Sequence, residues 1–358
     1  MENTQKNQNS LVTPKILANQ LGIEYKTLCW LKKMASYDIS INTESDARKL
    51  GYSKILTPYV RLEVPTKSKI RVVYSPCNQL RAIQAMLVQV VLKYMDPGDS
   101  SRAYEPGMQL ITAGVDMLGG DVVVGLDVKD FFHSIKRSMV KKLFVDEGYP
   151  EDTAYIMACL CCVSDKYKFL PQGGIASAAI ANRYAARYLD PLVNEVCNSD
   201  VPGCFKYIRY SDNIYISLQG DYIGYSLLKK VQASLLANGW RTHKFKVMPK
   251  YRRQKLLGMV VNGTAVSIQR DEYRKMCSAL FNISKSDASN IVRTLKLLIT
   301  LGVDTSSLHK LELSLKGKLA YYIQMSEEHR VNRLKDLYSK ACYAIDKYRS
   351  ILPLNLGE

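Results

Sequence analysis

A chain of 358 residues, 47% of them hydrophobic, has material for a sizeable core and for two or three subdomains, and is globular rather than disordered. Lys and Arg number 50 against 33 Asp and Glu, a formal charge of +17. Such an excess attracts polyanions at long range, and nucleic acid is the commonest of them. The nine cysteines follow neither a metal nor a disulfide spacing, and their odd number argues against a secreted framework. Cys159, Cys161 and Cys162 cluster in an apolar segment and are expected to be reduced core residues of an intracellular, cytoplasmic protein. The four histidines (His133, His243, His309, His329) carry no zinc spacing. Residues 1–13 read as a polar tail without a signal-peptide core, and no apolar run is long enough to span a membrane.

Pro14 opens a helical pattern through Ile16, Leu17 and Leu21, which resumes at Tyr25, Leu28, Trp30 and Leu31 beyond Gly22. Two short helices in a packing subdomain account for it better than a DNA-binding helix-turn-helix, because the spacing is generic. Residues 38–60 lead into a β-hairpin over 59–76, with Pro65-Thr-Lys-Ser68 at its tip and alternation resuming at Ile70, Val72 and Tyr74. Lys67, Lys69 and Arg71 share this hairpin. Such a cluster suits a triphosphate, or else lysines that keep an edge strand from aggregating. An amphipathic helix over 79–95 stops before Pro97-Gly98, and residues 101–120 read as loop.

The run Val122-Val-Val-Gly-Leu-Asp-Val-Lys-Asp-Phe-Phe-His-Ser-Ile135 begins as a strand buried on both faces and ends at Asp127. A carboxylate there needs a cation, for which a divalent metal is well suited, or else serves as a cap for the next helix, as Asp130 and Ser134 could. Helices are expected over about 136–148 and 151–163. Phe169-Leu-Pro-Gln-Gly-Gly174 then makes a turn whose own backbone can approach a ligand closely, followed by a helix of small residues bearing Asn182. Phe205 to Ser217 reads as strand, tip and strand, with Ser211-Asp212-Asn213 at the tip; a second acidic strand tip is what a two-metal site requires. A helix over 221–239, a basic strand over 240–247, a strand with an Asn-Gly turn over 256–263 and basic helices over 270–350 complete the pattern.

In order and spacing these segments resemble a bacterial reverse transcriptase of the retron and defence-associated kind, with group II intron enzymes as more distant relatives. The likeness covers roughly residues 15–345. It rests on Ile70-Arg71 with Pro76, Leu126-Asp-Val-Lys-Asp-Phe-Phe132, Leu170-Pro-Gln-Gly173 with Ser177 and Asn182, Tyr210-Ser-Asp-Asn213, His243-Lys-Phe-Lys246, and Leu257-Gly258. The resemblance implies an α+β right-hand polymerase with fingers, palm and helical thumb. It divides the chain into a tail (1–13), N-terminal helices and fingers (14–120), the first catalytic strand of the palm (121–135), fingers and palm helices (136–170), the palm with catalytic hairpin and primer grip (171–265) and the thumb (266–358). No RNase H or endonuclease domain is expected after the thumb.

The implied reaction is nucleotidyl transfer with two Mg²⁺ ions, Mn²⁺ being the alternative, to a 3′-hydroxyl or a 2′-hydroxyl. Asp127, Asp212 and the Val128 carbonyl would be the metal ligands, with Asn213 beside them in the catalytic hairpin. Lys67 or Lys69, with Arg71 and Lys246, would hold the triphosphate, Gln172 would line the nucleotide pocket, and Phe132 would exclude a ribose 2′-hydroxyl. Tyr210, Asn182, Leu257 and Gly258 would meet nucleic acid. Three features depart from the pattern: Asn213 replaces the second Asp of Tyr-x-Asp-Asp, Thr112-Ala-Gly-Val-Asp116 replaces Asn-Ala-x-x-His, and Leu256-Leu-Gly258 replaces Val-Thr-Gly. Related RNA-dependent polymerases include active enzymes with Asp-Asn at this hairpin.

The partners so implied are a cognate structured noncoding RNA as template and candidate primer, its cDNA, dNTPs, and an effector protein or second reverse transcriptase, with no membrane. An anti-phage role follows from the same resemblance. Two other readings stay open: untemplated or protein-primed synthesis, and an RNA-binding scaffold disarmed at Asn213.

Overall fold

A computed structural model describes residues 2–35, 58–65, 70–164, 167–220, 224–285, 294, 298–299, 301–304, 308–326 and 328–347. Its helices are α1 (Glu2–Asn9), α2 (Pro14–Gln20), α3 (Tyr25–Met34), α4 (Asn78–Val90), α5 (Leu110–Asp116), α6 (Phe131–Ser134), α7 (Arg137–Asp146), α8 (Glu151–Cys161), α9 (Ser177–Tyr188), α10 (Asp190–Asp200), α11 (Gly224–Ala237), α12 (Arg270–Lys285), α13 (Leu308–Gln324) and α14 (Glu328–Lys347). The strands are β1 (Tyr59–Pro65), β2 (Ile70–Pro76), β3 (Val122–Val128), β4 (Val163–Ser164), β5 (Lys168–Phe169), β6 (Phe205–Tyr210), β7 (Asn213–Leu218), β8 (Thr242–Pro249), β9 (Lys255–Leu256), β10 (Met259–Val260) and β11 (Ser267–Ile268). None of the described helices is long and apolar enough to cross a membrane.

The chain forms two compact units, Met1–Gln109 with Val124–Val247, and Leu110–Val123 with Met248–Glu358. The chain contains a four-stranded sheet in the order β6-β7-β3-β8. Val123, Val124 and Leu126 of β3 are buried, as its β-branched run requires, so Asp127 emerges from a strand that has no other polar side chain. The expected fingers hairpin is present, with β1 and β2 antiparallel and Pro65 paired to Ile70. Its tip, with Lys67 and Lys69, lies outside the described residues. Helix α4 buries Leu80, Ile83, Gln84 and Leu87, the i, i+3, i+4, i+7 stripe of its sequence. Helices α2 and α3 pack on α8 through buried Leu17, Leu21, Leu28 and Leu31, so the helix pair is a packing subdomain. Burial pushes the Cys162 thiol up to about 12, in keeping with reduced core cysteines.

Three segments differ from the sequence reading. The polar tail is helical over Glu2–Asn9, because tertiary bonds supply what propensity does not: Asn9 donates to the Glu147 carbonyl at 2.8 Å and Gln5 to that of Tyr94. The loop reading of 101–120 misses α5, whose short run Leu110–Asp116 buries Ala113 and Gly114. In the second unit, residues 256–263 do not turn at Asn262-Gly263. Leu256 pairs with Met259, so the two-residue turn is Leu257-Gly258, with φ +50° and +87°. Positive φ at both central positions is the type I′ signature that matches strand twist. Asn262 instead closes the longer β10–β11 loop, its amide donating to the Lys250 and Arg252 carbonyls.

Behind the β6–β7 hairpin sits a buried polar network. The Arg209 guanidinium, fully buried, donates to Asp190 Oδ1 at 2.8 Å, to Asn182 Oδ1 at 3.0 Å and to the Asn182 carbonyl at 3.2 Å. Tyr207 donates to the same Asp190 carboxylate at 2.6 Å, and Asn182 passes its amide protons to Ala103 and Glu105. Burial opposes the charge of Arg209, but Asp190 outweighs it and raises the guanidinium above its ordinary pKa. The expectation that Asn182 contacts nucleic acid is therefore corrected. It is fully buried, and its amide is spent on fixing Arg209 beneath the hairpin.

Two outcomes are expected. Leu257→Asn, better suited to φ > 0, raises unfolding stability by about 0.5–1 kcal/mol in urea titration, whereas Gly258→Ala lowers it by about 1 kcal/mol. A destabilised Leu257→Asn chain would contradict the turn. Arg209→Met leaves Asp190 buried without its cation and costs about 3–5 kcal/mol by the same measurement; a loss below about 1 kcal/mol would remove the network from any structural role.

Candidate active site

Asp127 and Asp212 reach one cavity from two strands. The Val128 N–H donates to the Asp212 carbonyl at 2.8 Å, tying the end of β3 to the tip of the β6–β7 hairpin. One residue on, the Lys129 N–H donates to the Arg241 carbonyl at 2.8 Å and ties the same end to the approach of β8. Tyr210 pairs with Asn213, so Ser211 and Asp212 form a two-residue turn, and Ser211 takes φ +58°. The Tyr104 hydroxyl donates to Ser211 Oγ at 3.3 Å, and Arg209 grips the hairpin from below.

The cavity, about 360 Å³, is lined by Asp127 and Asp212 with Arg71, Gln172, His243 and Lys244, and by the Val128–Phe131 segment. Asp127 is 18% exposed, and its Oδ1 lies 3.5 Å from His243 Nδ1. Two lining residues outside glycine have left-handed backbone, Asp130 at φ +52° and Lys244 at φ +52°. Each such residue stores strain that the surrounding bonds hold in place, a pattern concentrated at functional sites.

The two wall elements on the other side are also fixed. The Tyr74 N–H donates to the Gln172 carbonyl at 2.8 Å, joining β2 to the Pro171–Gly174 turn. Gly173 has φ +106°, and a Cβ there would fall 2.7 Å from the Tyr74 carbonyl oxygen, so only glycine permits this approach. Buried Gln84 holds the far end of the turn, accepting from the Ile175 N–H at 2.8 Å while donating to the Leu160 carbonyl at 2.7 Å. Gln84 was legible only as one polar position on an apolar helical stripe.

Asp127, Asp212, Arg71 and Gln172, expected from sequence to share a site, line this one cavity. The alternative of Asp127 as a helix cap falls, since it lies within β3, and Asp130, at the start of α6, makes no capping bond. Two residues expected in the site stand just outside the cavity lining. Lys246 is exposed and does not line the cavity; Lys244 does, because its left-handed backbone breaks the alternation of β8. Phe131, not Phe132, forms part of the wall. Phe131 is buried and stacked on Trp240 at 6.0 Å, while Phe132 stands half-buried beside it, ring centroids 5.5 Å apart. Asn213 is half-buried, and its Nδ2 donates to Asp212 Oδ1 at 3.1 Å. Tyr210 is half-buried next to the turn, its hydroxyl pKa raised by burial and by Tyr104. Leu257 and Gly258 belong to the second unit.

The donor set decides what the cavity can hold. Two carboxylates and a main-chain carbonyl at Val128 offer hard oxygens, which suit Mg²⁺ or Mn²⁺. Among the described residues no group of three or more His, Cys, Asp or Glu is placed to hold a metal ion. The cations Arg71 and Lys244 stand on the same walls, where the phosphates of a nucleotide would be held.

A reverse transcriptase (RNA-dependent DNA polymerase) family model matches residues 63–261, more than half of the chain. The chain is 26% identical over 309 residues to the retron Mx162 reverse transcriptase of Myxococcus xanthus, a match covering 77% of this chain and 59% of that one. It is 23% identical over 236 residues to the retron Ec86 reverse transcriptase of Escherichia coli, covering 63% and 69%. Among solved structures, a Candida albicans telomerase aligns at a TM-score of 0.44 and 12% identity, over 83% of this chain and 64% of that one. The α+β arrangement is that of a right-hand polymerase. The chain belongs to the reverse transcriptase (RNA-dependent DNA polymerase) family.

Proposed function

We propose that the chain is an RNA-directed DNA polymerase that copies a cognate structured RNA in the bacterial cytoplasm, in a defence role. One observation carries the reading: Asp127 and Asp212, from separate strands, share a cavity with Arg71 and Gln172. In the reaction a primer hydroxyl attacks the α-phosphorus of a deoxynucleoside triphosphate. The new P–O bond forms as the bond to pyrophosphate breaks, and the hydroxyl proton leaves to solvent. Two Mg²⁺ ions, held by Asp127, Asp212 and the Val128 carbonyl, would lower the pKa of the attacking hydroxyl and neutralise the leaving group.

The chain's own residues do the positioning. Arg71 and Lys244 flank the phosphates, with Lys67 and Lys69 of the hairpin tip as further candidates and Lys246 on the strand beyond. Gln172 is held to β2 through its own carbonyl, so its side chain presents to the nucleotide from a fixed backbone. Phe132, beside the wall residue Phe131, is the candidate barrier to a ribose 2′-hydroxyl. The amide of Asn213 in place of a carboxylate removes one negative charge next to Asp212 and orients that carboxylate by a hydrogen bond. This supports an active site with two carboxylates. A disarmed RNA-binding scaffold is the second reading, and the same residue favours it.

The test is dNTP incorporation by protein purified with its native RNA. Wild type is expected to synthesise DNA in Mg²⁺, and Asp127→Ala to lose at least about 10³-fold, in line with removal of a metal from a phosphoryl-transfer site. Silence in wild type together with synthesis in Asn213→Asp would establish the scaffold instead. On the same assay Phe132→Ala should admit ribonucleotides more readily; unchanged sugar selection would remove Phe132 from that role.

A further inference from the structure

A second cavity, of about 550 Å³, opens beside the carboxylate site and shares Lys129, Asp130 and His133 with it. Its other walls include Lys136, Tyr167, Phe169 and Arg241. The walls combine the rings of Tyr167 and Phe169 with three cations, Lys129, Lys136 and Arg241, and one carboxylate, Asp130. Tyr167 is 60% exposed, and the His133 ring lies 4.6 Å from that of Phe169. Burial holds His133 below its ordinary pKa, so near neutral pH it presents an uncharged ring that extends this aromatic face. The Lys136 ammonium is fixed at the rim. It donates to the His133 carbonyl at 2.9 Å and lies 5.6 Å from the Tyr167 centroid. Across the cavity, the bond from Lys129 N–H to the Arg241 carbonyl sets two further cationic side chains on adjoining strands.

Tyr167 is the exposed ring of this wall, with Phe169 buried behind it, and an exposed ring with cations around it recognises a base joined to phosphates. The volume is that of a small-molecule pocket and suits one nucleotide rather than a strand, which would need an open track. We propose that this cavity is an outer nucleotide site, which takes a nucleoside triphosphate with its base on Tyr167 and its phosphates on Lys129, Lys136 and Arg241. Its shared wall then delivers the nucleotide to Asp127 and Asp212. The inference rests on the nucleotidyl-transfer reading, and it adds a binding step that precedes the reaction.

Trp240, between Gly239 and Arg241, is a fluorescence donor for the test. The background is Asp127→Asn/Asp212→Asn, which weakens the inner site, with Trp30→Phe leaving Trp240 as the single tryptophan. The probe is 3′-mant-dATP in magnesium buffer. Saturable energy transfer is expected in this background, and adding Tyr167→Ala/Arg241→Ala should weaken it about tenfold or more while the circular dichroism spectrum stays native. Arg241→Lys, which keeps the charge, should weaken it less. Affinity unchanged by the cavity substitutions would overturn the proposal, as would binding abolished by the carboxylate substitutions alone. So would the absence of mant-dATP energy transfer in a chain that binds a short single-stranded oligonucleotide. The two readings fail separately: wild type that incorporates dNTPs but lacks outer binding refutes only the outer site, and outer binding without incorporation refutes only the polymerase reading.

Discussion

Everything the site does depends on one main-chain hydrogen bond, from the Val128 N–H to the Asp212 carbonyl. It joins the end of a buried strand to the tip of a hairpin, and so fixes the separation of two carboxylates that share no local sequence. Two like charges brought together in a half-buried cavity repel, and a fold tolerates this only where the backbone is held from several directions. Here the hold comes from the Lys129 bond to Arg241, from Tyr104 on Ser211, and from Arg209 buried beneath the hairpin. The left-handed residues Asp130, Ser211 and Lys244 are local signs of the same constraint.

Electrostatics then explains why a strongly basic chain keeps its carboxylates here. Arg71, Lys129 and Lys244 line the cavity with Asp127 and Asp212, so the walls divide into a part that attracts cations and a part that attracts phosphate. A metal–triphosphate complex satisfies both, and neither a free cation nor a free anion does so alone. Solvent screening limits the exposed lysines, whereas the half-buried carboxylates are screened less.

Much of this was legible in the sequence where local pattern and chemistry coincide. The apolar run ending at Asp127, the acidic hairpin tip at Asp212 and the two glycines after Gln172 each announced themselves, because a buried strand end, a turn and a close backbone approach restrict residue type. Helix periodicity gave α4 and the α2–α3 pair for the same reason. What escaped depends on contacts remote in sequence. Helix α1 forms from polar residues because Glu147 and Tyr94 accept its amides. Asn182 read as a nucleic-acid contact because nothing local reveals Arg209 at 3.0 Å. Lys244 replaced Lys246 because a single left-handed residue shifts strand alternation, and such a residue has no signal of its own in a basic run.

The central claim is that Asp127 and Asp212 act together on one divalent cation pair. Titration of Mn²⁺ into the folded chain, with free Mn²⁺ read by electron paramagnetic resonance, tests it without requiring template, primer or turnover. The account predicts saturable binding that Asp127→Asn and Asp212→Asn each weaken by at least about tenfold, since loss of a ligand should cost no less than loss of its supporting partner. Binding that survives both substitutions unchanged would contradict it.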